Sequence, residues 1–466
     1  MISKVFKAYN KSINDSSVYD IADVTPITRA NALSKSLNNN IYLKREDLQP
    51  IFSFKLRGAY NKLSKLKKRG SNRPVIAASA GNHAQGVAYS AQQLGLKSII
   101  VMPITTPLIK INAVKNFGGK VTLFGDNFDE AYNHAVLLAK KEDYSFIHPY
   151  DDKDVIAGQG TVGKEILEQV NFKTEAIFVP VGGGGLLAGI GTYIKSVYPE
   201  IKIIGVEPDD AACLDLAIKN NKRLSLKEVG LFADGVAVKQ IGKVTFALIK
   251  EWIDDVITVS VDEMCSAVQD TFQETRTIPE PAGALALAGL KKYTKSKGLK
   301  NKNLIAINSG ANLNFDRLGH IVERVQLGER KEVLLSVRIP EQKGSFRKFC
   351  KILGKRMISE FNYRAEDSEE ASIFVACRFN DSNQKTKLLR HLRSKGYSPK
   401  DLSENEVAKL HVKHMVGGRA PKTISEKGEY LFRVEFPERP GALVDFLDKL
   451  SAVSYTHLTL PTKRIV

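Results

Sequence analysis

Ser53-Phe54-Lys55-Leu56-Arg57-Gly58-Ala59 sets one lysine among apolar and small residues, shortly after the charged run Lys44-Arg45-Glu46-Asp47. Two readings of Lys55 follow. In the first, its stem packs on apolar neighbours and its amine stays in water. In the second, the amine is a nucleophile that forms an imine, kept reactive by desolvation or by a nearby cation that lowers its pKa. The stretch by itself leaves both open, so the residues around it have to decide.

Outward from Lys55 the chain alternates strand and helix. Ile41-Tyr42-Leu43 reads as a short strand, and Lys55 opens a helix that runs to about Leu66. Residues 1–40 read as a helical arm leading to Pro26, which breaks any helix there. Pro74 to Ala78 is a short apolar run of the buried-strand type, and a helix follows it to a stop at Gly95. Further strands are expected over 98–102, 120–124, 176–181, 203–208, 257–259 and 303–307. Helices are expected over 107–117, 127–141, 162–170 and 262–276, and from Glu280 through Leu290. Ala157-Gly158-Gln159-Gly160-Thr161 reads as the approach to the helix at 162. Such alternation implies a parallel sheet covered on both faces. The pattern ends near residue 320.

Three sharp turns follow buried strands, where open α/β sheets commonly place their ligands. The first is Ser79-Ala80-Gly81-Asn82-His83, in which Asn82 has the ordinary reading of a helix cap. The second is Gly182-Gly183-Gly184-Gly185-Leu186. Successive glycines let backbone N–H groups approach an anion, and a helix start adds positive partial charge. No Gly-Lys-Ser/Thr follows, so this is not a Walker loop, and it is not a GxGxxG fingerprint. A structural glycine loop is the plain alternative. The third is Asn308-Ser309-Gly310-Ala311-Asn312.

The segment Lys44 to Ala59, KREDLQPIFSFKLRGA, resembles the pyridoxal-phosphate attachment signature of the serine/threonine dehydratases. These are tryptophan-synthase-β-like enzymes. The resemblance implies an α/β fold of two parallel-sheet lobes (fold type II) with pyridoxal 5'-phosphate held as an imine on Lys55. It also implies that Gly182 through Leu186 carry the cofactor phosphate and that Asn82 bonds the ring hydroxyl. Ser79, Ala80, Gly81 and His83 would line the substrate carboxylate, with His83 structural. Ser309 would face the ring nitrogen. A serine hydroxyl donates to a neutral pyridine nitrogen, whereas an aspartate would keep it protonated. Phe54 would shield the ring, although core packing explains it equally well. Serine racemases are similar but carry a serine where this chain has Ala80, and racemisation needs that second proton donor.

The C-terminal third changes texture. Val333 to Ile339 is a strand, a helix follows through Phe349, and Ala371 to Arg378 is a second strand. Pro340, Glu341, Gly344 and Phe349 recur at one constant offset as Pro437, Glu438, Gly441 and Phe446. This is an internal repeat of a strand-turn-helix unit. A duplicated appendage that only mediates assembly is one reading. The repeat also resembles the α+β ACT-like regulatory domains of biosynthetic threonine dehydratases, which respond to isoleucine and valine. The resulting division is a catalytic domain over 1–320, a first regulatory subdomain over 332–405 and a second, truncated one over 429–466. The last stretch, Ser454 to Val466, does not continue the repeat and reads as a foreign terminus.

Bulk properties exclude other classes. A hydrophobic fraction of 43% in 466 residues is enough for large cores. No apolar run reaches the ~18 residues that span a bilayer. No signal peptide is read at Met1-Ile2-Ser3-Lys4. Cys213, Cys265, Cys350 and Cys377 are widely spaced, so neither a metal pair nor a disulfide framework is expected, and a cytoplasmic location is. The net charge of +18 comes from scattered lysines. Even the cluster Lys62 to Arg69 lacks interleaved stacking aromatics, so no nucleic-acid partner is expected. The expected activity is pyridoxal-phosphate-dependent deamination of L-threonine to 2-oxobutanoate and ammonia by a homotetramer under isoleucine feedback. The alternatives are an L-serine dehydratase, another β-elimination or β-replacement enzyme, and a non-catalytic amino-acid sensor.

Overall fold

A computed structural model of the chain describes residues 4–328 and, with short breaks, 332–405. It divides into two compact units at Val322/Glu323. The first unit carries ten strands. They are β1 (Ile27–Arg29), β2 (Asn40–Arg45), β3 (Val75–Ala78), β4 (Ser98–Met102), β5 (Lys120–Leu123), β6 (Ser145–Phe146), β7 (Ala176–Pro180), β8 (Lys202–Pro208), β9 (Asp255–Val259) and β10 (Asn303–Asn308). They form two sheets. One has the order β1-β2-β10-β7-β8-β9 and the other β5-β4-β3-β6. All pairings are parallel except β1 with β2, where Ile27 faces Lys44.

The buried strands explain the layering. Every residue of β3 and of β7 is buried, as continuous apolar runs require when helices cover both faces. Ile177, Val179, Leu187, Ile190, Ile203 and Ile305 centre the core of the larger sheet. Val75, Ala77, Val87, Ile100 and Val114 centre that of the smaller.

Several expectations are corrected. The arm before β2 is two helices, Lys4–Asn14 and Asn31–Leu37, with β1 between them. Residues 157–161 do not precede the helix expected from 162; they lie inside it, and it runs over Lys153–Gln169. Their glycines are packing surfaces. A Cβ on Gly158 would meet the Arg57 carbonyl oxygen at 2.5 Å, and one on Gly189 of the helix Gly185–Val197 would meet Gly160 N at 2.6 Å. Three helices therefore touch almost backbone to backbone, and tertiary contact overrides the weak helix propensity of glycine. Short helices at Cys213–Lys219 and Lys243–Ile249 had no expectation in the sequence.

A buried charge cluster ties this helix packing to the Lys55 helix (Lys55–Lys68). Arg57 bonds Glu46 at 2.7 Å and Glu165 at 2.5 Å, and Lys44 bonds Glu165 at 2.5 Å. All four side chains are almost completely out of water. Two cations balance two carboxylates, the condition under which charges tolerate burial. The pairing holds the Glu46 carboxyl below its ordinary range and raises Arg57, while burial still pulls Lys44 down.

In the second unit, β11 (Glu332–Pro340), β12 (Met357–Ala365), β13 (Glu370–Arg378) and β14 (Lys400–Asp401) form one antiparallel sheet in the order β12-β13-β11-β14. Val333, Leu335, Val337 and Ile339 alternate onto one face with Ile373 and Val375. Helices Ser345–Leu353 and Asn383–Ser394 supply Phe349, Leu353, Leu388 and Leu392 to the same core. Strand β12 was not anticipated. The second copy of the repeat and the segment 429–466 lie outside the described residues.

Candidate active site

Lys55 is the first residue of its helix and Phe54 is the N-cap, with no side-chain cap. Its Nζ lies 5.2 Å from the centre of the Phe54 ring and makes only a long contact, 3.4 Å, with the Pro149 carbonyl oxygen. Among the described residues no carboxylate reaches ion-pair distance of it. Burial pulls its pKa down to about 8, against the opposing charge of Glu280. The amine is thus neither a solvent-facing lysine nor a salt-bridge partner. It is available as a nucleophile or base near neutral pH.

The loops after β3, β7 and β10 supply the rest. After β3, Gly81 rather than Asn82 is the N-cap of the helix Asn82–Leu94, so the capping role considered for Asn82 does not apply. The Asn82 side chain crosses instead to Glu280, with Nδ2 donating to Oε1 at 2.7 Å, while its Oδ1 accepts from Asn312 Nδ2 at 2.7 Å. His83 is buried, and its Nε2 meets the Ile147 carbonyl oxygen at 3.0 Å. Burial pushes its pKa down to about 3, so it stays neutral and structural. Ser79 Oγ accepts from Gly81 N at 3.2 Å and steadies the turn, while Ala80 is half-buried and offers no proton.

After β7, the N-cap Gly184 has φ +88, a left-handed conformation that glycine adopts without strain, and no side chain caps the helix that follows. The loop leaves no room for side chains. A Cβ on Gly183 would run into the Tyr150 ring, one on Gly182 would meet Val236 Cα at 3.0 Å, and one on Gly185 would meet Tyr150 Cβ at 3.0 Å. The Gly183 carbonyl accepts from Thr245 Oγ1 at 2.8 Å, which turns the loop's carbonyl inward. Leu186 roots the first turn in the core.

After β10, Ser309 is buried, with Oγ 3.3 Å from the Ala282 carbonyl oxygen. Its own carbonyl accepts from Phe54 N at 3.2 Å, so the Lys55 turn and the Ser309 turn are joined. Two members of the site were not singled out in the sequence. Tyr150 stands only as one aromatic in a loop, and Glu280 only as the residue before a helix. Neither carries a local signal, because each acquires its role from partners far along the chain.

These features match known proteins. Residues 18–310 match the family described as pyridoxal-phosphate dependent enzyme, and residues 323–412 match the C-terminal regulatory domain of threonine dehydratase. The chain belongs to the pyridoxal-phosphate-dependent enzymes, in the threonine dehydratase branch of tryptophan-synthase-β-like folds. It is 48% identical over 95% of its length to the L-threonine dehydratase biosynthetic IlvA of Burkholderia multivorans, covering 87% of that protein. It is also 48% identical to the same-named protein of Escherichia coli, with 97% of this chain and 87% of that one covered. Among solved structures it is similar to the processed form of threonine deaminase isoform 2 from Solanum lycopersicum, at 47% identity and a TM-score of 0.68. That match covers 70% of this chain and 89% of the other.

The residues present fit the family's cofactor. An amine with a lowered pKa stands at the head of one helix. A second helix starts without a side-chain cap at the glycine run 182–185, where an added Cβ would crowd Tyr150, Val236 or Ile241, which suits a phosphate held by backbone N–H groups.

Proposed function

We propose that this chain converts L-threonine to 2-oxobutanoate and ammonia, as a threonine ammonia-lyase serving isoleucine synthesis. The observation that carries the reading is the Lys55 amine, its pKa drawn down to about 8 and without an ion pair among the described residues, beside three strand-end loops. The threonine dehydratases reported above support the choice of substrate.

Bound pyridoxal phosphate supplies an aldehyde carbon for the substrate amine and a ring that accepts electron density from Cα. The chain's own residues do the rest. Backbone N–H groups of Gly182–Leu186 bind the phosphate at a helix start. The Ser79–His83 loop binds the substrate carboxylate at a second helix start. Asn82 and Ser309 would hold the ring through their polar side chains, and Phe54 would shield it. Lys55 Nζ removes the α-proton as general base, for which a pKa near the working pH is suited. His83 takes no part in proton transfer, since burial keeps it neutral. Ala80 has no proton to return to the opposite side of Cα, so proton loss leads to elimination of the β-hydroxyl rather than to inversion.

The regulatory unit takes an amino-acid effector, with isoleucine as its inferred identity. The match of residues 323–412 to a threonine dehydratase regulatory domain supports this. The homotetramer and the cytoplasmic location rest on the family resemblance. Among the described residues no helix is long and apolar enough to cross a membrane.

The test is 2-oxobutanoate formation from L-threonine by the parent and by Lys55→Ala, each with and without L-isoleucine. Lys55→Ala is expected to lower the rate by about a thousandfold. Product from L-serine but not from L-threonine would overturn the substrate assignment in favour of a serine dehydratase. Full activity in Lys55→Ala would overturn the role of the lysine.

A further inference from the structure

Glu280 has no part in the reaction as derived, yet it is buried where three loops meet. Its Oε1 accepts from Asn82 Nδ2 at 2.7 Å. Its backbone N–H donates to the Gly310 carbonyl oxygen at 3.1 Å, one residue beyond Ser309. A Cβ on Gly310 would sit 2.9 Å from Oε1, so the carboxylate packs directly on that turn. Asn82 Oδ1 in turn accepts from Asn312, which also donates to the Ile51 carbonyl oxygen at 2.8 Å. An asparagine amide has two hydrogens and two lone pairs. One of each is committed here, at opposite ends of the amide, which fixes both its plane and its sense.

We propose that Glu280 is a positioning residue. Through the chain Glu280–Asn82–Asn312 it locks the Asn82 amide with one hydrogen and one lone pair left for the ring hydroxyl of the bound cofactor. The inference rests on the pyridoxal-phosphate reading of the site. Without Glu280 the amide is free to rotate, and the donor facing the cofactor is no longer fixed.

The charged groups around Glu280 shape this contact. Lys55 faces it from the head of its helix, Lys110 from the helix Leu108–Asn116, and Asp234 from the turn before Ala237. Lys110 and Asp234 are paired with each other at 2.6 Å. Burial, with Asp234 adding to it, pushes the Glu280 carboxyl up to about 7, against Asn82, Lys110 and Lys55. The Asn82 bond is therefore charge-assisted above that pH and neutral below it.

The test uses holoenzyme of the parent, Glu280→Gln and Glu280→Ala. It measures the absorbance of bound pyridoxal phosphate against pH and its dissociation constant by equilibrium dialysis. Glu280→Ala is expected to weaken cofactor binding about tenfold. Glu280→Gln, which keeps an acceptor oxygen but cannot ionise, is expected to stay within about threefold of the parent and to lose an absorbance step near pH 7. If Glu280→Ala fails to fold, the loss of that step in Glu280→Gln decides. Variants that melt lower but keep the parent's absorbance profile and affinity would overturn the inference and leave Glu280 a structural residue. A parent that takes up no pyridoxal phosphate would overturn the reading of the site as well, which separates the two failures.

Discussion

After β3 the chain turns through Ser79–Gly81 and enters a helix at Asn82. After β7 it turns through Gly182–Gly184 and enters a helix at Gly185. Both helices begin without a side-chain cap, so both present backbone N–H groups and a positive end to an anion. Their surroundings differ. Tyr150, Val236, Ile241 and Ile249 close on the glycines after β7. Nothing lies within 4 Å of a Cβ on Gly81, and Ser79 through Asn82 are only half-buried. The difference fits the role proposed for each loop. A cofactor phosphate stays through many turnovers and suits a walled cradle. A substrate carboxylate arrives and leaves in each one and needs an open approach.

The comparison is open to three measurements. The largest effect is expected for Gly183→Ala, whose Cβ runs into the Tyr150 ring. Overpacking of this kind costs about 1–3 kcal/mol, read by denaturant unfolding, and cofactor content should fall with it. Adding Tyr150→Ala should recover part of the loss, and equal losses with and without Tyr150 would show that the wall is not the cause. The next effect concerns pH. In its proposed role Lys55 would react with the cofactor only as a free amine, and its pKa is lowered, so its neutral fraction grows through pH 8 rather than pH 10. The rate of cofactor uptake by apoprotein should rise about tenfold from pH 7 to its plateau and level off above about 9. A rate still climbing steeply at pH 10 would mean an ordinary lysine. The smallest effect is expected for Gly81→Ala. An added Cβ meets nothing there, so stability should fall far less than for Gly183→Ala while KM for threonine changes. A loss like that of Gly183→Ala would erase the contrast between the loops.

Sequence carries the long apolar strands, the three turns and Lys55 because each is a local signal, while the short β1 and β6 and the polar β12 give none. Four buried residues of one kind, or a glycine run after them, need no distant partner to be read. The glycines at 158 and 160 mislead for the opposite reason. Locally they disfavour a helix, and only the approach of Arg57 and Gly189 gives them a place in one. The division into two sheets is not local either, since β10 follows β9 in sequence but pairs with β2 and β7. Glu280 is the plainest case at the site. A carboxylate before a proline reads as a solvated helix start, and its partner Asn82 lies 198 residues away.

The cluster of Lys44, Glu46, Arg57 and Glu165 bears on how the enzyme meets ionic strength. The net charge of +18 repels itself in dilute buffer and is screened by added salt. The four buried groups are neutral in sum and lie where mobile ions do not reach. Salt that rearranges the surface therefore leaves the footing of the Lys55 helix as it was, and the reactive amine sits two residues from a charge balance the solvent cannot edit.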